Sequence, residues 1–298
     1  MIFITPTQIQ EIKLDIHNPY RVKLFIKRED LIHNIVSGNK WRKLKYNFKY
    51  IMKNNIKTIL SFGGAYSNHL HALSWLAKEN NVKSIGLVRG EEIYKNNPTL
   101  TFCTNNNMEL YFLDRKTYRE SKFDNKIIND IKKNHKNSFI IPEGGLNQFG
   151  IKGCEEIMTE VEGEFNIICS SIGSGCTAIG LIKSLKANQS FLGFSSFKNS
   201  DLINQKIKSH VSFNSNWSIN SDYNFGGFGK VNSELKSFMS VFEKNHKITL
   251  DPVYNSKTFF GLLDMISKKR FPKESRILVL HTGGLQGLQG IKTKNHEA

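Results

Sequence analysis

Cysteine is scarce in this chain and never paired. Cys103, Cys154, Cys169 and Cys176 show no C-x-x-C spacing, so neither a zinc site nor a disulfide framework is suggested. Of the nine histidines only His69 and His71 are close neighbours. Two apart on a helix, they would point to different sides, so they do not make a metal pair. No apolar run approaches the roughly 20 residues of a membrane span. The stretch Met1–Pro6 is apolar but too short for a secretory signal and lacks a basic leader, so the cytoplasm is the expected compartment. Arginine is also rare, supplying eight of 42 basic residues in a chain of formal charge +16. The lysines sit among asparagines, as in Lys53-Asn54-Asn55 and Lys132-Lys133-Asn134, and form no stripe interleaved with aromatics. Nucleic acid is therefore not the expected partner. An anionic substrate or cofactor would still gain from the positive field.

What is present describes a globular enzyme. The 298 residues leave room for one large domain or two modest ones, and 39% hydrophobic with 11% aromatic content suits a packed core. Strands are expected at Thr58–Phe62, Ser84–Val88, Glu109–Leu113, Ser138–Ile141, Phe165–Ser170, Phe191–Phe194, Ile248–Val253 and Arg276–Leu280. Leu70, Leu73, Leu76 and Ala77 form one helical face, and Phe123, Ile127, Ile128 and Ile131 mark another helix. There is no repeat, low-complexity tract or long linker. Such alternation predicts an α/β protein of two lobes, each a twisted, mainly parallel sheet flanked by helices, with a cleft between them for a ligand.

Three segments carry chemistry. Ser37-Gly38-Asn39-Lys40-Trp41-Arg42-Lys43 sets a lysine beside flexible, amide-rich residues with two cations behind it. Neighbouring charge lowers a lysine's pKa and frees its amine to attack a carbonyl; a basic turn ahead of a helix is the plainer alternative. Cys169 to Leu181 reads as a strand running through Gly173-Ser174-Gly175-Cys176-Thr177 into an apolar helix. Small residues let backbone N–H groups converge at the helix N-terminus, which makes a phosphate cradle or, failing that, a tight turn. It has neither the Gly-Lys-Ser/Thr of a nucleoside-triphosphate loop nor a full G-x-G-x-x-G, and a monophosphate suits it better. Phe62 to His69 places Ser67 and Asn68 where a strand gives way to a helix, facing a ligand or, for Ser67, capping the helix. Glu143-Gly144-Gly145, Leu250 to Lys257 and Leu280 to Leu285 are further polar strand ends. One phosphate, one activated lysine and an interlobe cleft together fit pyridoxal 5′-phosphate.

The segments SGNKWRKLKYN, SFGGAYSNH and HTGGLQGLQG resemble those of the fold-type II pyridoxal-phosphate enzymes, with a tryptophan synthase β-like fold. The similarity is to the branch of D-cysteine desulfhydrases and 1-aminocyclopropane-1-carboxylate deaminases, and it runs from about Arg28 to Gly290. The resemblance implies Lys40 as the Schiff-base lysine, Lys43 as a phosphate contact and Ser67 as a catalytic serine. It implies Asn68 as the amide on the ring hydroxyl, Gly173, Ser174, Gly175, Cys176 and Thr177 as the phosphate loop, and Tyr254 as a tyrosine near the substrate. It further implies a smaller lobe of roughly 43–152 inserted into a larger lobe of 1–42 and 153–298, and a homodimer.

Three positions depart from the deaminase pattern. Asn255 stands where the deaminases have a glutamate on the ring nitrogen, Thr282 replaces a leucine, and Phe228 replaces a second active-site tyrosine. A neutral partner leaves the ring nitrogen largely unprotonated and weakens the electron sink. Opening a cyclopropane demands the stronger sink, whereas expelling thiolate does not. The expected activity is thus β-elimination from a small amino acid such as D-cysteine, giving pyruvate, ammonia and sulfide. Ring-opening deamination is the alternative, and the loss of the Phe228 hydroxyl admits a third reading, a cofactor-binding protein with little catalysis.

Overall fold

The computed structural model describes residues 2–121, 126–213 and 215–288. Two short strands, β1 (Ile9–Ile12) and β2 (Lys23–Lys27), lead into helix α1 (Asn39–Lys53). Then come β3 (Thr58–Gly64), α2 (Asn68–Glu79), β4 (Lys83–Arg89), α3 (Pro98–Asn105), β5 (Met108–Leu113), α4 (Arg115–Ser121), α5 (Lys126–Asn134) and β6 (Ser138–Ile141). The third part runs α6 (Gln148–Thr159), β7 (Ile167–Ile172), α7 (Cys176–Lys183), β8 (Ser190–Ser195), α8 (Asp201–Lys208) and β9 (Trp217–Asn220). It closes with α9 (Ser233–His246), α10 (Asn255–Ser267) and β10 (Arg276–Leu280).

Two sheets result. The smaller is wholly parallel in the order β5-β4-β3-β6, and the larger runs β1-β2-β10-β7-β8-β9 with only the β1–β2 pair antiparallel. Each is covered on both faces, as the period of two in its strands requires. In β10, Ile277 and Val279 join one core cluster while Leu278 and Leu280 join the cluster on the opposite face. The α/β class and the mainly parallel sheets agree with the sequence reading.

Most expected elements are found, with shifts of a few residues at their ends. Phe123 lies outside the described residues; Ile128 and Ile131 of that expected helix are buried in α5. Ile248–Val253 is the exception, for it forms no strand. Pro252 brings no N–H to a ladder, and the Asp251 carboxylate accepts from the backbone N–H groups of Val253, Tyr254 and Asn255 at 3.0, 2.8 and 2.8 Å. That carboxylate starts α10 and commits the segment to a buried turn. β1, β2 and β9 were not anticipated. Among the described residues no helix is long and apolar enough to cross a membrane.

Helices α1, α6 and α7 join the two sheets, and glycine lets them approach closely. A Cβ on Gly153 of α6 would lie 1.8 Å from the Arg42 carbonyl oxygen, and one on Gly180 of α7 would lie 2.5 Å from Cys154 Cβ. The same contact zone buries four charges. Arg42, 1% exposed, donates to both oxygens of Glu29 at 2.8 and 3.0 Å and to both of Glu160 at 2.6 Å. Lys27 completes the group, donating to Thr7 Oγ1 at 2.8 Å and to Glu160 at 3.3 Å. Two cations meet two carboxylates, so every buried charge in the group is matched.

Removing Arg42 would strand Glu29 inside the protein with Lys27 as its sole cationic neighbour. Arg42→Ala is expected to lower the unfolding free energy by about 3–5 kcal/mol, measured by urea titration. A loss below about 1 kcal/mol would show that the network does not hold the helices together.

Candidate active site

Lys40 is the second residue of α1, and the turn before it fits against the end of β10. Gly38 has φ of 65°, and a Cβ there would sit 2.1 Å from the Thr282 carbonyl oxygen, so only glycine serves. That carbonyl accepts from Asn39 N–H at 3.3 Å and from Lys40 Nζ at 3.2 Å. Burial first, and then the neighbouring Lys43 charge, bring the Lys40 amine down to about 7, with Asp251 partly opposing. A large fraction of the amine is thus unprotonated at neutral pH, as a nucleophile or base requires. A cavity of about 310 Å³ opens beside Lys40, between Ser37, Asn68, His71, Gly284 and Gln286.

Lys43 lies one helical turn beyond Asn39 and is 8% exposed. Among the described residues it has no ion pair, and its ammonium makes no hydrogen bond to a side chain. The ammonium is not among the buried polar atoms left without a partner, so it keeps contact with solvent, where an anion would pair with it. The loop expected to cradle phosphate stands close by. β7 ends at Ile172, and the chain passes through Gly173, Ser174 and Gly175 into α7, whose N-terminus has no side-chain cap. Its first N–H groups therefore remain open to a ligand. The side chains around them turn aside: Ser174 Oγ donates to the Gly144 carbonyl at 3.3 Å and Cys176 Sγ to the Gly145 carbonyl at 3.4 Å, while Thr177 Oγ1 accepts from Asn39 Nδ2 at 3.0 Å. Burial pushes the Cys176 thiol well up, so it stays neutral.

At the other end the groups are neutral. Asn255 Nδ2 donates to Asp251 Oδ1 and to the Gly283 carbonyl, and Asn255 Oδ1 accepts from Thr282 N–H at 3.0 Å and Thr282 Oγ1 at 3.3 Å. Both amide hydrogens are spent inside the protein. The Thr282 hydroxyl, which also meets Ser171 Oγ at 3.2 Å, gives its one hydrogen to Asn255 and keeps only acceptor capacity in this arrangement.

Ser67 caps α2, its Oγ accepting from Leu70 N–H at 3.2 Å. The cap uses one lone pair and leaves the hydroxyl hydrogen free, so the capping and ligand readings are compatible. Asn68 Oδ1 accepts from Gln286, and its Nδ2 faces Gly284, where a Cβ would come within 2.8 Å. The Tyr254 ring covers Gly173, with its hydroxyl 3.3 Å from where a Cβ would stand. Burial, then Asp251 and Glu143, raise the phenol's pKa, so it remains protonated and able to donate. Phe228 packs edge-on to Tyr254 with centroids 5.8 Å apart, and Lys257 holds that loop by donating to the Asn224 and Gly227 carbonyls at 2.8 and 2.9 Å. The fold thus brings Lys40 against Thr282, Thr282 against Asn255, Tyr254 against Gly173, and Asn68 to the cavity beside Lys40, with Ser67 next to Asn68 in the chain. His69 and Lys257 had no role assigned there, and Arg42, expected to depress the Lys40 pKa alongside Lys43, is instead paired with Glu29 and Glu160. Helical spacing from Lys43 back to Asn39, and the adjacency of His69 to Asn68, were the available signals. Among the described residues no group of acidic, histidine or cysteine side chains could hold a metal ion.

Comparison with known proteins agrees with this geometry. Residues 2–283 match the family described as pyridoxal-phosphate dependent enzyme. A protein of Pyrococcus abyssi named "Putative 1-aminocyclopropane-1-carboxylate deaminase" is 28% identical over 286 residues, covering 90% of this chain and 86% of that one. A D-cysteine desulfhydrase of Klebsiella pneumoniae is 26% identical over 289 residues, covering 89% and 88%. The crystal structure of an ACC deaminase homologue superposes with a TM-score of 0.85 at 24% identity, covering 100% of this chain and 95% of that one, and so shares its fold.

An amine near 7 should react with acylating reagents at neutral pH, far below the range of an ordinary lysine near 10.4. Labelling of Lys40, followed by peptide mass spectrometry, is expected to rise with a midpoint near pH 7. Removing a like charge favours the protonated form, so Lys43→Met should move that midpoint upward. An unmoved midpoint would show that Lys43 does not contribute.

Proposed function

Because the chain belongs to the pyridoxal-phosphate dependent enzyme family, we propose that it is a lyase of a small amino acid, acting by β-elimination on D-cysteine or a related β-substituted D-amino acid. The residues fit the cofactor. Lys43, lacking a counter-ion, and the uncapped N-terminus of α7 supply charge and N–H donors for a phosphate. Lys40 offers a free amine for the aldehyde, the two Nδ2 hydrogens of Asn68 suit the ring hydroxyl, and the Thr282 hydroxyl suits the ring nitrogen once its hydrogen turns away from Asn255 Oδ1. In this reading Asn255 acts one step back, fixing Thr282.

When bound, pyridoxal phosphate supplies an electron sink for the charge left as the substrate α-proton departs. The Lys40 amine takes that proton, which its lowered pKa allows at neutral pH. Ser67, still capping α2, points its remaining hydroxyl hydrogen at the substrate carboxylate. Tyr254, held protonated, donates toward the departing sulfur. One D-cysteine and one water give one pyruvate, one ammonia and one hydrogen sulfide.

The neutral pair Asn255 and Thr282 carries this choice. Asp251 is the nearest carboxylate, and its oxygens are taken up by N–H donors from Val253, Tyr254 and Asn255. Ring-opening deamination is the second reading, supported by the name of the Pyrococcus abyssi relative. A smaller lobe of 43–152, a homodimer and a cytoplasmic location belong to the same proposal, on the strength of the family resemblance.

Purified enzyme given D-cysteine is expected to release pyruvate, and given 1-aminocyclopropane-1-carboxylate to release little or no 2-oxobutanoate. The reverse result would favour the second reading. Lys40→Ala should abolish either product; full activity in that variant would remove Lys40 from the mechanism.

A further inference from the structure

His71 lies one turn along α2 from Ser67 and Asn68, with 9% of its surface exposed. Its ring stacks on Phe102 with centroids 3.8 Å apart, which holds its plane. Neither ring nitrogen bonds to a protein group among the described residues. Nδ1 is fully buried without a partner, whereas Nε2 is not among the buried unpartnered atoms and so keeps contact with solvent. A proton on Nδ1 would be an orphaned buried N–H, which proteins rarely tolerate, so the ring proton belongs on Nε2. Burial lowers the imidazole to about 4, and it stays neutral.

His71 borders the cavity beside Lys40, as does Asn68 three residues before it on the same helical face. Neither Thr282 nor any residue of 173–177 borders that space, which is thus separate from the end assigned to the ring nitrogen and phosphate. Its volume of about 310 Å³ matches the small end of ligand sites, and a bare thiol would fill little of it. Leu31, Ile35 and Leu285 give it apolar wall. Arg28 and Asp30 border it too and cancel, for Arg28 donates to both Asp30 oxygens at 2.9 and 2.7 Å. Lys247, exposed at the C-terminus of α9, has no ion pair among the described residues, so the balance around the cavity is positive.

We propose that this cavity receives the part of the substrate beyond its leaving sulfur, and that it selects thioethers carrying a carboxylate, read by His71 Nε2–H and Lys247. The assignment rests on the β-elimination reading. S-Carboxymethyl-D-cysteine is a member of that class. Its α C–H and Cβ–S bonds break, the α-proton goes to Lys40, and the sulfur leaves with a proton as mercaptoacetate; one water completes one pyruvate and one ammonia. His71 requires an acceptor and Lys247 requires a charge, and the two demands can be separated.

Three thioethers of one shape separate them: S-carboxymethyl-D-cysteine, its amide S-carbamoylmethyl-D-cysteine, and S-isobutyl-D-cysteine, which has neither acceptor nor charge. Rapid-mixing absorbance titrations of the holoenzyme would give dissociation constants, with pyruvate assayed in the same samples. The parent is expected to bind the carboxymethyl compound most tightly and the isobutyl compound most weakly. In His71→Phe, which keeps a ring on Phe102, the preference for carbamoylmethyl over isobutyl should fall about tenfold. In Lys247→Met the preference for carboxymethyl over carbamoylmethyl should fall about threefold, and in the parent that preference should shrink as salt is added. Each preference is a ratio within one protein, so loss of folded or loaded enzyme cancels. A parent without the expected order, or a His71→Phe ratio equal to the parent's, would overturn the proposal while leaving β-elimination from D-cysteine intact. The expected binding order without pyruvate would uphold the cavity and overturn β-elimination instead. Nitrogen-15 spectra of the unmutated protein should place the His71 proton on Nε2; a proton on Nδ1 would also overturn the proposal.

Discussion

The guanidinium of Arg42 lies between Glu29 and Glu160, and the cofactor end of the molecule is organised around that contact. Burial alone would work against its charge, but the hydrogen bonds it donates to both carboxylates hold it firmly protonated. Together with Lys27 it consumes both carboxylates of its neighbourhood. Lys40 and Lys43 sit on either side of it along α1 and are left without a share. Burial and the Lys43 charge then bring the Lys40 amine near neutrality, with no carboxylate of this cluster to oppose them. A hydrophobic replacement of the cluster could match its stability. It would not fix the rotation of α1, on which the aim of both lysines depends.

The site is also polarised along its length. At one end the Lys43 ammonium and the open N-terminus of α7 gather positive potential. At the other, Asp251 is wrapped in N–H donors and shielded by Asn255, so that Thr282 presents a neutral hydroxyl. A ligand with an anion at one end and a weakly basic nitrogen at the other would be oriented by this gradient before any covalent bond forms. Burial acts oppositely on the two titratable groups between these ends, holding the proton on the Tyr254 phenol and loosening it from the Lys40 amine.

Much of this was legible in the residues. β6 and β10 fall at the expected boundaries because their apolar runs are bounded by turn-formers, and the expected face of α2 is the buried one. The glycine-rich passage into α7 was readable for the same reason, since small residues at a strand end have few other uses. Ile248–Val253 misled because a buried extended segment and a strand share an apolar signature, and the deciding factor is what Asp251 bonds. β1 and β2 were missed because their charged residues, Glu11, Lys23 and Lys27, blur the apolar pattern; Lys27 is apolar in no sense and yet fully buried. Partnerships such as Arg42 with Glu160, or His69 with Ser61, join distant parts of the chain or depend on proton placement. Neither kind leaves a periodic trace.

The placement of β10 bears on how the molecule is made. This strand is the last of the larger sheet in chain order, yet it pairs with β2 on one side and β7 on the other. During synthesis β2 and β7 must therefore wait, each with an open edge, until the ribosome has delivered β10. The same late arrival brings the Thr282 carbonyl to the turn at Gly38 and the amine of Lys40. Until then Lys40 lacks the burial that lowers its pKa, so its amine stays that of an ordinary lysine. Burial of Lys40 and closure of the sheet are therefore a single event.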